Sequence, residues 1–88
     1  MLCDINAAGA QAQAGSLAAR WGPGRGKALP MDVTSARSIS EAFHEVVRSY
    51  GGFDLVISNA GVLRAQSVKT QSEKDFDFVT AVNYKGYY

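Results

Sequence analysis

Three polar positions in this chain could do chemistry, and each follows a short apolar run. Asp4 ends Met1-Leu2-Cys3-Asp4, Asp32 follows Leu29-Pro30-Met31, and Asn59 follows Leu55-Val56-Ile57-Ser58. Polar groups at the carboxyl ends of parallel strands stand where open α/β sheets bind ligands. A carboxylate at the position of Asp4 can accept both ribose hydroxyls of an adenosine and repel a 2′-phosphate, which favours NAD over NADP. The other reading of Asp4 is a helix N-cap, and Asn6 offers the same. Behind Asn59 come Ala60 and Gly61, whose small side chains do little to bar a ligand's approach.

The remaining reactive groups read as structural. Cys3 is the one cysteine, so no intrachain disulfide can form, which fits a reducing cytosol and a cytoplasmic protein. It reads as a small buried strand residue, since no His or cationic cluster adjoins it. His44, between Glu41 and Glu45, has no nucleophile set around it and reads as a surface residue. The glycines of Gly22-Pro23-Gly24-Arg25-Gly26-Lys27 suggest a phosphate loop, but Trp21 occupies the place of a Walker loop's first Gly. A dinucleotide loop follows a strand and opens a helix; this segment does the reverse, so it reads as a helix stop. No metal site is expected.

The elements that must position these groups alternate along the chain. Met1–Asp4 reads as the tail of a strand, and the Ala-rich stretch from Asn6 to Trp21 as a helix whose small residues let it lie close on a sheet. Lys27–Met31 reads as a second strand, with Pro30 tolerable at a sheet edge. Thr34 or Ser35 can cap the next helix, and Ser38 with Glu41 offers another register. In it Ile39, Phe43, Val46, Val47 and Tyr50 form one apolar stripe, closed by Gly51-Gly52. Phe53–Gly61 then reads as a strand buried on both faces. After a loop from Val62 to Gln71, Ser72 with Asp75 can box the start of a helix to Tyr88, with Phe76, Val79, Asn83 and Tyr87 on one face. An Asn on such a face needs a partner for its amide. Strand–helix alternation of this kind specifies α/β with a parallel sheet.

At 88 residues the chain is at most one small domain, and its net charge of +1 gives no reason to expect nucleic acid or an anionic membrane as partner. No apolar run approaches the roughly 20 residues that cross a bilayer. No export signal stands at the N-terminus.

Asp4 after one strand, Asp32-Val33 after the next, Asn59-Ala60-Gly61 after the third and Val82-Asn83 in the following helix together resemble a classical short-chain dehydrogenase/reductase. Ser58 stands where that family's signature has another Asn. Ser58–Tyr88 further resembles the dehydrogenase part of bifunctional aldolase/short-chain dehydrogenase proteins. The resemblance implies that Asp4 holds the adenosine ribose, Asp32 the adenine amine and the Val33 N–H a ring nitrogen. It implies that Asn59, Ala60 and Gly61 line the adenosine side of NAD, that Val82 packs near adenine, and that the Asn83 main-chain carbonyl holds a water in the relay to the catalytic Lys.

The family's glycine-rich pyrophosphate loop and its Ser and Tyr-x-x-x-Lys groups lie outside these 88 residues. The expectation is therefore a partial Rossmann fold, the doubly wound sheet's strands two to four with three helices and the first strand missing. The chain would be the central fragment of one NAD(P)-binding domain and inactive alone. In the order 3-2-1-4-5-6 the strand before Asn59 then lacks its central neighbour, leaving its backbone unpaired or paired directly with strand two. The intact protein is expected to be an NAD-dependent oxidoreductase of an alcohol or carbonyl substrate. A homo-oligomer is implied, with Phe78, Tyr84 and Tyr88 as candidate contacts. The rivals are a non-catalytic Rossmann-like module and an NAD-dependent nucleotide-sugar epimerase, against which Asn59-Ala60-Gly61 argues.

Overall fold

Alanine decides how the first helix packs. In a computed structural model describing residues 1–88, β1 (Leu2–Asp4) leads into α1 (Ala7–Trp21), which returns the chain to β2 (Ala28–Pro30). Ala10 and Ala14, one turn apart, are buried where α1 lies on the two strands. Asn6 caps α1 by accepting from the Gly9 N–H at 3.0 Å, and Gly22, at φ 102°, closes it. The glycine connector then doubles back over the helix. A Cβ on Gly26 would stand 2.5 Å from the Ala14 carbonyl oxygen, so only glycine fits there.

β1 and β2 pair in parallel, with Leu2 opposite Ala28, Cys3 opposite Leu29 and Asp4 opposite Pro30. Bonds from Leu2 N–H to Lys27 C=O and from Met31 N–H to Asp4 C=O frame the ladder. β2 is an edge, which tolerates Pro30. Both strands therefore deliver their carboxyl ends, with Asp4 and Asp32, to the same side of the molecule.

Ser35 is the cap of α2 (Ala36–Tyr50), accepting from the Ser38 N–H at 3.2 Å. Ser38 in turn uses its hydroxyl to accept from the Asp32 N–H at 3.0 Å, rather than boxing with Glu41. Gly51 ends the helix in the left-handed region at φ 81°. Of the expected stripe, Phe43, Val47 and Tyr50 stay partly exposed and only the neighbouring Ala42 is buried.

The third strand does not form. No hydrogen bond engages a backbone N–H or C=O from Phe53 to Gly61, and Leu55 and Ile57 are 76% and 79% exposed. An isolated extended segment has no ladder to hold it, and direct pairing with β1 does not occur. The α/β class, the parallel pairing and the three helices are as the sequence indicates; the sheet is two-stranded.

α3 (Glu73–Thr80) is also shorter than the expected helix to Tyr88. Its cap is Ser72, which accepts from the Asp75 N–H at 3.1 Å and donates to the Asp75 carboxylate at 2.6 Å. At Ala81–Lys85 the backbone widens into a π turn, with Gly86 N–H bonding the Ala81 carbonyl. The packed face is then Asp75, Val79, Val82 and Gly86, whereas Phe76, Asn83 and Tyr87 are exposed.

The fully buried set is Ala10, Ala14, Ala42 and Val82. The radius of gyration is 15.4 Å, against about 12 Å for a close-packed chain of this length. The gap between β1 and residues 53–61 accounts for the open core.

Two glycines should respond oppositely to alanine. A Cβ on Gly15 meets nothing within 4 Å, so Gly15→Ala should stabilise by about 0.5–1 kcal/mol. On Gly86 it would lie 2.8 Å from Val33 Cγ2, so Gly86→Ala should destabilise by about 1–3 kcal/mol. Urea midpoints of the two variants check both signs.

Candidate functional site

One cavity gathers most of the polar rim. Its volume is about 480 Å³, and Asp4, Val33, Asn59, Ala60, Gly61 and Val82 all border it. Cys3, Ile5 and Met31 continue its wall along the strands. α2 supplies Ala42, Phe43, Val46 and Tyr50, whereas no residue of α1 borders it. Phe53 closes one end against Phe43, their ring centroids 5.1 Å apart. Phe78, expected at a subunit contact, also borders the cavity and lies under the Arg64 guanidinium at 5.0 Å.

Asp4 and Asn6 divide the capping work. Asp4 Oδ1 accepts from the Asn6 N–H at 2.8 Å, which aims the carboxylate across the turn between β1 and α1. Its second oxygen makes no hydrogen bond within the chain. Asp32 is set in the same way one strand over. Its Oδ1 accepts from the Thr34 N–H at 2.8 Å and the Thr34 hydroxyl at 2.7 Å. Those bonds, the hydroxyl's first, hold the Asp32 carboxyl below the usual carboxylate range. Asp32 does not itself border the cavity; Val33 does. Burial pushes the Cys3 thiol up despite the nearby N-terminal ammonium, so it stays protonated at neutral pH.

Asn83 is exposed, not buried in a packed face, and its amide is satisfied by one residue. Its Oδ1 accepts from the Val62 N–H and its Nδ2 donates to the Val62 C=O, both at 2.8 Å. The amide thus mimics a neighbouring strand and ties the end of Asn59-Ala60-Gly61 to the π turn. That places Val82, one residue earlier, against the cavity. Within the turn the Gly86 N–H reaches back to Ala81, and no backbone N–H bonds the Asn83 carbonyl. Sequence reasoning singled out Asn83 but missed Val62 as its partner. The signal it had was the amide itself, which requires a donor and an acceptor together.

The arrangement offers an apolar slot bordered by the polar groups of Asp4, Ser58 and Asn59, with the Asp32 carboxylate and a free Asn83 carbonyl outside its lining. It can bind a ligand carrying hydroxyl or amine donors, and it contains no nucleophile with an adjacent base.

A family model described as enoyl-(acyl carrier protein) reductase matches residues 1–88. The uncharacterized oxidoreductase YuxG of Bacillus subtilis is 34% identical over 88 residues, which is 100% of this chain and 13% of that protein. D-threitol dehydrogenase of Mycolicibacterium smegmatis is 36% identical over 83 residues, 94% of this chain and 31% of that one. The crystal structure of sorbitol-6-phosphate 2-dehydrogenase SrlD from Erwinia amylovora superposes with a TM-score of 0.90 at 30% identity, covering 97% of this chain and 33% of SrlD. The chain therefore spans a third or less of these three relatives.

Asn83→Asp should keep the Val62 N–H bond and lose the one to its carbonyl, because a carboxylate has no donor. The expected cost is about 0.5–1.5 kcal/mol, since the lost bond is exposed to solvent, read as a lower urea midpoint. Thr34→Val should let the Asp32 pKa rise part of the way to about 3.9, followed by NMR titration of the carboxyl. The sign follows from the depressed value: the bonds to Thr34 stabilise the fold above the unfolded pKa and are lost as pH falls through the folded one.

Proposed function

The chain belongs to the short-chain dehydrogenase/reductase family, and on that footing we propose that residues 1–88 are the central part of an NAD-dependent dehydrogenase domain. The intact enzyme moves hydride between the nicotinamide and an alcohol or carbonyl carbon. The observation that carries this reading is the meeting of Asp4, Val33, Asn59–Gly61 and Val82 around one cavity.

The residues present fit the adenosine half of the cofactor. Asp4 offers a carboxylate oxygen not used within the chain to the ribose hydroxyls, and its charge disfavours a 2′-phosphate. Asp32, with one oxygen engaged by Thr34, accepts from the adenine amine through the other. The Val33 N–H bonds a ring nitrogen, and Val82 packs near the ring. Asn59, Ala60 and Gly61 leave the backbone open to approach along the adenosine side. NAD supplies hydride acceptance when bound. Asn83 serves through its main-chain carbonyl, holding a water that passes a proton toward a catalytic Lys; its freedom from backbone bonding supports that role.

The full-length match to the much longer YuxG leaves room for the bifunctional aldolase/dehydrogenase assignment. A homo-oligomer is in keeping with exposed Tyr84 and Tyr88, and a cytoplasmic location with a lone cysteine. No helix is long and apolar enough to cross a membrane.

Saturation binding of NAD and NADP to the chain extended to its relatives' length tests the reading. NAD should bind more tightly, and Asp4→Ala should shrink the preference about tenfold, in line with a lost charged hydrogen bond. Tighter binding of NADP with Asp4 intact would overturn it.

A further inference from the structure

The backbone at Gly86 does not call for a glycine. Its φ of −69° and ψ of −21° lie in the right-handed helical region open to any residue. Space is what excludes a side chain there. A Cβ would stand 2.5 Å from the Val82 carbonyl oxygen and 2.8 Å from Val33 Cγ2. Both neighbours border the cavity, Val82 from the π turn and Val33 from the loop after β2. That loop has one spare donor. The N–H groups of Met31, Asp32, Thr34 and Ser35 are all bonded, to Asp4, Ser38 and Asp32, whereas that of Val33 bonds nothing within the chain.

We infer that Gly86 is a positioning residue for base recognition. By admitting no side chain, it sets how closely Val33 stands to Val82, and so where the free Val33 N–H meets a flat heterocycle. The inference rests on the cofactor reading, in which that N–H bonds a ring nitrogen of adenine and Val82 packs near the ring. It adds the residue that fixes those two relative to each other. A side chain at position 86 could not be relieved by sliding the π turn away, because the turn is tied from Asn83. The Asn83 Oδ1 and Nδ2 hold the Val62 N–H and C=O, each at 2.8 Å. Nor can Val33 turn aside easily, since a β-branched side chain has few rotamers. The strain therefore passes to the Val33 backbone, and a hydrogen bond weakens steeply as its angle departs from linear. The atoms nearest such a side chain belong to Val82 and Val33 and not to Asp4, so ribose recognition is left alone.

Base selectivity of the chain extended to its relatives' length tests this. Dissociation constants are measured for NAD, NADP and nicotinamide hypoxanthine dinucleotide, in which a ring N–H and a carbonyl replace adenine's acceptor nitrogen and amine. The unsubstituted protein should bind NAD more tightly than the hypoxanthine analogue. Gly86→Ala should shrink that preference about tenfold, the worth of one hydrogen bond. The preference for NAD over NADP, set at Asp4, should stay as it was. Val33→Ala keeps the N–H and leaves a gap against Gly86 in place of a clash, so it serves where Gly86→Ala does not fold. It should shrink the adenine preference about threefold. A loss of affinity by the same factor for all three dinucleotides would mark a purely structural role and overturn the inference. So would an adenine preference that neither substitution changes. No adenine preference in the unsubstituted protein would remove the cofactor reading and this inference together, whereas tighter binding of NADP would sink the Asp4 argument and leave this one standing.

Discussion

A β-strand is a shared object: its hydrogen bonds belong to the pair, and no apolar run can make them alone. That constraint governs this molecule more than hydrophobicity does. Leu2–Asp4 and Ala28–Pro30 are short, and the second ends in proline, yet they form strands because each has the other. Phe53–Ile57 is richer in β-formers and forms none. The difference lies in what stands beside each segment, and it leaves large apolar side chains exposed around an open slot.

The helices respond to the same constraint differently, since their backbone bonds are internal. α1 and α2 have the caps and glycine stops their sequences specify, and they are complete without a full sheet beneath them. α3 is where internal and external demands collide. The Asn83 amide reaches out to Val62 while the Gly86 N–H reaches back five residues to Ala81. The π turn accommodates both, and around it Val82 and Gly86 face the packed side while Asn83 and Tyr87 are exposed. Gly86 then sits against Val33, which links the helix end to the loop after β2.

Local features were the most legible from the sequence. Asn6, Ser35 and Ser72 act as caps because their oxygens need only a backbone N–H a few residues away. The gathering of Asp4, Val33 and Asn59–Gly61 was legible too, since parallel strands place their carboxyl ends together. Two things were not. A period count could not foresee the π turn, because an extra residue per turn is dictated by a contact with Val62, 21 positions away. Nor does an apolar run disclose whether its neighbour is present, so Phe53–Gly61 looked like a strand on composition alone.

The exposed Phe53-Asp54-Leu55-Val56-Ile57 run has a cellular consequence. An exposed apolar segment with unpaired backbone groups is a template for aggregation, and it is also the kind of surface that chaperones and proteases survey. A polypeptide carrying it uncovered would have its abundance set by quality control and turnover, whatever its intrinsic fitness for chemistry.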